Sequence, residues 1–265
     1  MNNTVLDHFS PSSLACYEAC PRAYFYKYVC KLSLPMDSVH LVFGSAVHKA
    51  LEIYEDNLDA TKARLAYEIE FDKRKLAQKE WPKYDELYPL GFLMLQKYIE
   101  NNDFIKKLYN IAHTKEREIW LNAVLENPLT GEKLSIPMKG RIDMLTEKDQ
   151  IIDYKTSAKA YDVDSEEFKY QTKLYALGRW SLNKKIIPDV IYYVFVKNAK
   201  ALNSATPIQV IPLQFTLEEL AETFEKTKNI LIQIENKEFK PGRCKPFCDH
   251  RKIDMLLSPE PKVET

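Results

Sequence analysis

From Ile136 to Met144 an apolar residue, or Gly140, occupies every second position, and a second run, Ile151-Ile152-Asp153-Tyr154-Lys155, follows after Glu147-Lys148-Asp149-Gln150. A period of two is the period of a strand, whose successive side chains leave on opposite faces. Two such runs joined by four polar residues predict a β-hairpin. On the first strand Asp143 falls on the polar face. On the second, Ile152 and Tyr154 form the buried face, which sends Asp153 and Lys155 out together. Two carboxylates and a lysine then converge on one region of a sheet.

Two close carboxylates suit a hard divalent cation such as Mg2+ or Mn2+, which prefers carboxylate, carbonyl and water oxygens. A lysine beside them orients a metal-bound water or helps deprotonate it. Asp-x-Lys alone describes a solvated strand edge with weak ion pairs as readily as a site. Two further elements make the pattern specific: Gly140-x-x-Asp143 upstream, and Gln171-x-x-x-Tyr175 downstream on a helix predicted over residues 164–182, where the i, i+4 spacing gives Gln171 and Tyr175 one face.

In this order the elements resemble the PD-(D/E)xK nuclease superfamily and, within it, the RecB-type exonuclease branch with its CRISPR-associated and phage members. The resemblance implies an α/β fold, a central mixed β-sheet flanked by helices in a restriction-endonuclease-like core. It implies one domain over residues 1–265: a helical N-terminal part (1–110), a catalytic sheet core (111–215) and a C-terminal helix with a cysteine-containing tail (216–265). The implied metal ligands are Asp143, Asp153, the Tyr154 carbonyl and His48, the last from Gly44-x-x-x-His48. Lys155, Gln171 and Tyr175 complete the implied catalytic set. The opening Ser-Pro-Ser-Ser-Leu and its Cys20-Pro21 also resemble the RecB-type start. That branch ties such a cysteine to three C-terminal ones around a 4Fe-4S cluster. Cys20, Cys244 and Cys248 approximate three positions, but Cys244 and Cys248 have three intervening residues instead of two, and Asp254 stands near the place of the last cysteine. Cys16 or His250 is the candidate substitute fourth ligand, a mixed Cys/His set suits Zn2+, and the remaining alternative is a remnant whose thiols are buried and hold no metal. Cys30 fits none of these schemes.

Elsewhere the pattern predicts a helix from Ser10, as N-cap before Pro11, to about Tyr28. A second starts near Gly44, and two more, over 59–79 and 90–101, are divided by Pro82 and Pro89. Residues 116–125 read as a strand on which Glu118 is a candidate neighbour of the site, although its spacing is not diagnostic. Residues 190–197 read as a strand buried on both faces, 208–215 as another strand, and 217–234 as an amphipathic helix.

With 38 basic and 38 acidic side chains the formal net charge is zero. Contact with nucleic acid must therefore come from a local patch and not from a global field. The first residues lack a secretory pattern and no run is long enough to span a membrane, so an intracellular, cytoplasmic protein is expected. The resemblance implies DNA as partner, single-stranded or with free ends, in recombination and repair, with Tyr24, Tyr26 and Tyr170 as stacking aromatics. No Gly-x-x-x-x-Gly-Lys-Ser/Thr segment is present, so unwinding would need a helicase or recombination partner. Two other classes stay open: a catalytically inactive nuclease-like DNA-binding or assembly subunit, and an enzyme acting on RNA or small phosphoesters.

Overall fold

The computed structural model describes residues 6–32, 38–163, 165–184, 186–241, 251, 253 and 254. Ser10 opens α1 (Pro11–Ala19) through a reciprocal capping box: the Ser13 N–H donates to Ser10 Oγ at 3.1 Å, and the Ser10 N–H donates to Ser13 Oγ at 2.9 Å. The single helix expected to reach Tyr28 is instead broken. Cys20 is extended, Pro21 restarts the chain as α2 (Pro21–Tyr24), and a π-turn over Phe25–Val29 follows. Proline has no N–H to continue a helix but fits the first position of a new one.

Three long helices follow. α3 (Val39–Asn57) starts ahead of Gly44, because Ser38 caps it. α4 (Ala60–Glu70) is shorter than expected. The helix expected over 90–101 is longer at both ends, α5 (Trp81–Leu108), and takes in both prolines expected to divide it from the segment before. Pro82 lies in its first turn, where no N–H partner is needed. Pro89 lies inside and forfeits one backbone bond. Burial of Leu87, Met94, Leu95, Tyr98 and Ile105 along one stripe holds the helix through it.

The sheet comprises β1 (Thr114–Ala123), β2 (Met138–Thr146), β3 (Ile151–Ser157), β4 (Val190–Val196) and β5 (Gln209–Leu213) in that spatial order. β3 and β4 are parallel and every other neighbouring pair is antiparallel. α6 (Glu166–Asn183) provides the crossover that a parallel pair requires. α7 (Ala199–Leu202) is a single turn, and α8 (Leu217–Glu235) opens on a Thr216–Glu219 capping box.

β4 divides the two cores by strand alternation, as expected for a strand buried on both faces. Val190, Tyr192 and Val194 pack with α1, α6 and α8 residues such as Leu14, Leu174 and Phe224. Ile191, Tyr193 and Phe195 pack with Phe43, Val47, Met94 and Tyr98 of α3 and α5. This is a mixed sheet between two helical layers. No helix among the described residues is long and apolar enough to cross a membrane.

The described part of the tail packs on α1 and α2. Tyr17 Oη donates to the Glu238 carbonyl at 2.8 Å, Phe239 stacks on Tyr24 with ring centroids 6.2 Å apart, and Lys226 pairs with Glu18 at 2.6 Å. Asp254 accepts from Tyr26 Oη and, at 3.5 Å, from Arg22 Nη2. Cys16 and Cys20 lie one turn apart, the Cys20 N–H donating to the Cys16 carbonyl at 2.9 Å. Cys244, Cys248 and His250 lie outside the described residues, and among those described no group of three or more His, Cys, Asp or Glu side chains is placed to hold a metal. The iron-sulfur or zinc expectation thus has no support here. Aromatic packing and the Asp254 contacts join the described part of the tail to α1 and α2.

Candidate active site

The hairpin forms as expected, but its two strands stay paired for only two residues, Met144 with Ile152 and Leu145 with Ile151. Beyond them the strands splay, and Asp143 fills the gap: its Oδ2 accepts the Tyr154 N–H at 2.8 Å. A backbone donor that would otherwise belong to the ladder thereby fixes the first carboxylate beside Asp153. The expected alternation of β2 also breaks here. Ile142 packs in the α6/α8 core and Met144 in the α3/α5 core, although both were expected on one face.

Asp153 and Lys155 do leave β3 together. Their face is not solvated, however, because α6 covers it and Asp153 is only 7% exposed. Lys155 Nζ abuts Asp153 Oδ2 as an ion pair, yet that oxygen receives no properly directed hydrogen bond. Behind the site, Tyr154 is buried in the α3/α5 core. Its hydroxyl lies 2.7 Å from that of Tyr98, which spends its one proton on Glu55 Oε1 at 2.7 Å, so Tyr154 donates to Tyr98. Glu55 also accepts from Asn102 at 2.7 Å, from Lys106 at 3.0 Å and from Thr114 at 3.2 Å. β3 is thus anchored into the helical layer.

Glycine lets α3 approach. A Cβ at Gly44 would lie 3.3 Å from Thr156 Oγ1, so the helix rests against β3 at this point. One turn later His48 Nδ1 lies 3.4 Å from Asp143 Oδ2. From the opposite side, Tyr175 of α6 packs on β2 where a Cβ at Gly140 would lie 3.1 Å from its ring. Gln171, half-buried, stands one turn before it. Of the seven residues expected in the site, Asp143, Asp153, Tyr154, Lys155, His48 and Tyr175 come from β2, β3, α3 and α6 around one end of the hairpin, with Gln171 one turn before Tyr175 on α6.

Electrostatics set the two carboxylates apart. Burial acts to raise the pKa of Asp143, but His48, Lys155 and the Tyr154 N–H together hold it below the usual aspartate range. For Asp153, burial and the charge of Asp143 outweigh Lys155 and push it up. His48 and Lys155 both tend to lose their protons on burial, and the neighbouring carboxylates overcome this and raise both. Burial is thus what makes Asp153 ionise reluctantly, and a cation placed beside it would favour the ionised form. Burial and then the charge of Asp153 lift the Tyr175 phenol to about 12, so it is a neutral O–H donor at physiological pH.

Two acidic residues near the site were not assigned to it from sequence. Glu52 lies one turn beyond His48 on α3 and lines, with His48, Glu118, Asp143 and Tyr154, a cavity of about 10 Å³, close to the room one water molecule needs. Its i+4 spacing from His48 was a readable signal. Glu118 had none, because only the register shows it opposite Asp143: Arg117 pairs with Met144 and Ile119 with Ile142. Glu118 has φ of +51°, a conformation rare for a side-chain-bearing residue in a strand. Its carboxylate contacts Arg141 Nε.

The oxygen-rich donor set suits a hard cation. No group of three described His, Cys, Asp or Glu side chains already forms a metal cage, because His48 is paired with Asp143 and Asp153 with Lys155. The expected stacking residues fail outright: Tyr24, Tyr26 and Tyr170 are 1%, 5% and 4% exposed and belong to the core.

A hairpin splayed around two acids and a lysine, enclosed between a histidine-bearing helix and a crossover helix, defines the nuclease-type α/β sheet. The chain belongs to the PD-(D/E)XK nuclease superfamily, whose sequence profile it matches over residues 8–253. Among solved structures it is similar to a "Putative exonuclease" from Eubacterium rectale, with a TM-score of 0.55 at 15% identity over 95% of this chain and 93% of that one. That likeness carries the restriction-endonuclease-like fold. It also matches SSO0001 with a TM-score of 0.38 at 14% identity, over 87% and 78% of the two chains. No curated protein matches the sequence significantly.

Proposed function

We propose that this chain is a Mg2+- or Mn2+-dependent deoxyribonuclease that degrades DNA from its ends. The observation that carries the reading is the buried pair Asp143–Asp153 with Lys155 against it, in a superfamily whose members generally use these ions. His48, Asp143, Asp153 and the Tyr154 carbonyl would hold the cation. When bound, it polarises the phosphodiester and supplies a water of lowered pKa. The Tyr154 N–H fixes the carboxylate of Asp143. Lys155, protonated throughout the physiological range, stands where negative charge grows on the phosphorus oxygens and offsets it. The neutral Tyr175 hydroxyl and the Gln171 amide donate to phosphate oxygens and position the strand.

Exonuclease action is favoured because the Eubacterium rectale protein of the same fold carries that description over nearly its whole length. An inactive subunit is disfavoured because Asp143, Asp153, Lys155, Gln171 and Tyr175 are all present, whereas a retired site commonly loses at least one.

End-labelled linear and covalently closed circular single strands, incubated with Mg2+, Mn2+ or EDTA, provide the test. Linear DNA should shorten from an end with either metal, remain intact in EDTA, and disappear far faster than circles. Equal loss of circles would make the enzyme an endonuclease. Intact DNA under every condition would favour the inactive subunit.

His48→Ala should lower the rate by roughly 10- to 100-fold and shift the preference away from Mn2+, because imidazole suits Mn2+ better than Mg2+. Unchanged rates with both ions would remove His48 from the ligand set.

A further inference from the structure

The core tyrosines leave the strand-binding surface unassigned, and β1 offers one in their place. Leu121 and Ala123 turn into the α6/α8 core, so Trp120 and Asn122 turn to the other face. There the helical layer ends: Arg117 still reaches α3 through Asp56 at 2.6 Å, but Trp120 is 73% exposed. Among the described residues no ring stacks on it and no cation lies over it. A bare indole on an edge strand is unusual, since tryptophan is normally well buried.

The residues around it indicate what covers it. Trp120 pairs in register with Arg141, and Asn122 with Lys139. Arg141 is solvent-accessible, its side chain 56% exposed, and one edge of its guanidinium is held by Glu118. Two residues beyond Arg141 on the same strand is Asp143, about 7 Å away at the rise of a strand. One aromatic face and two cations thus form a stripe that runs directly to the splayed hairpin. A lone exposed ring is not the extended apolar patch that marks many protein or second-copy contacts. A single ring flanked by cations matches a polyanion whose units each present one flat base and one phosphate.

We infer that Trp120, Arg141 and Lys139 form the single-stranded DNA platform of this enzyme. A base stacks on the indole, Arg141 and Lys139 take the flanking phosphates, and the next phosphate is delivered to the Asp143–Asp153 pair. This assignment rests on the nuclease reading and adds to it the path of the strand.

Fluorescence anisotropy of a labelled oligothymidine, titrated with the full-length chain in EDTA, measures binding without cleavage. Trp120→Ala should weaken affinity about 10- to 100-fold, Trp120→Phe should restore most of it, and Tm should not move. Arg141→Gln should weaken binding less and reduce the slope of log affinity against log salt by about one contact. In the metal-loaded reaction Trp120→Ala should raise KM with kcat nearly unchanged. If the unaltered chain binds and cuts DNA while Trp120→Ala binds equally well, the platform is wrong and the nuclease reading stands. Conversion of a dimer to a monomer by Trp120→Ala, with DNA affinity intact, would place a second copy on this face and overturn it as well. An unaltered chain that neither binds nor cuts DNA refutes both.

Discussion

Asp153→Ala is expected to lower DNA cleavage by at least about a thousandfold while the protein remains folded. Asp153 packs nothing that a smaller side chain would lose at comparable cost, and its ionised form is disfavoured where it stands. Asp153→Asn, which keeps the shape, should melt at or above the unaltered temperature, the usual trade between stability and an active-site charge. Lys155→Ala is expected to be as inactive but to melt lower, because it leaves Asp143 and Asp153 facing each other without their ammonium. Cleavage rate and thermal melting measured on the same three preparations check both halves. Robust cleavage by purified Asp153→Ala would sink the site assignment.

The largest expected loss of stability lies behind the site. Glu55, 7% exposed, is where Tyr98, Asn102, Lys106 and Thr114 all place a donor. Removing one partner of a buried, hydrogen-bonded ion pair leaves the others unsatisfied, so Glu55→Ala should cost about 3–5 kcal/mol. In a domain of this size that is roughly a 10 °C fall in Tm. Burial works to raise the pKa of Glu55, but Lys106 and the hydrogen bonds bring it below the ordinary glutamate value. The stabilisation is therefore fully present above that ordinary value and is lost as pH falls through the folded one. Melts compared from neutral to acidic pH should show the gap between the two proteins narrowing below the ordinary glutamate pKa. A gap that does not depend on pH would mean that packing, and not charge, is what Glu55 contributes. Activity should fall too, since Tyr98 and Tyr154 link this network to the catalytic strand.

The sequence by itself determined the parts whose physics is local. A period of two marked β2 and β3, and a nearly continuous apolar run marked β4. Ser10 and Pro11 marked the start of α1. Gly140-x-x-Asp143, Asp153-x-Lys155 and Gln171-x-x-x-Tyr175 resembled the family the chain belongs to and named the candidate site residues, and residues two apart on a strand or four apart on a helix share a face in any fold. Gly44 and His48 were legible for the same reason, one turn apart on α3. Local signals misled where a distant surface outweighed them. Pro89 reads as a helix end, yet the buried stripe of α5 carries the helix through it. Tyr24 and Tyr170 read as candidates for stacking, yet their places in the helical layers bury them. The face bearing Asp153 and Lys155 reads as solvent-facing, yet α6 covers it. Only the tertiary structure decided that Glu118 stands across from Asp143, that Glu55 anchors Tyr154 through Tyr98, and that Trp120 is left bare beside Arg141. Each depends on which strands pair, in what register, and where a helical layer stops. Those outcomes follow from burying the whole chain's apolar surface at once, and no window of neighbouring residues contains them.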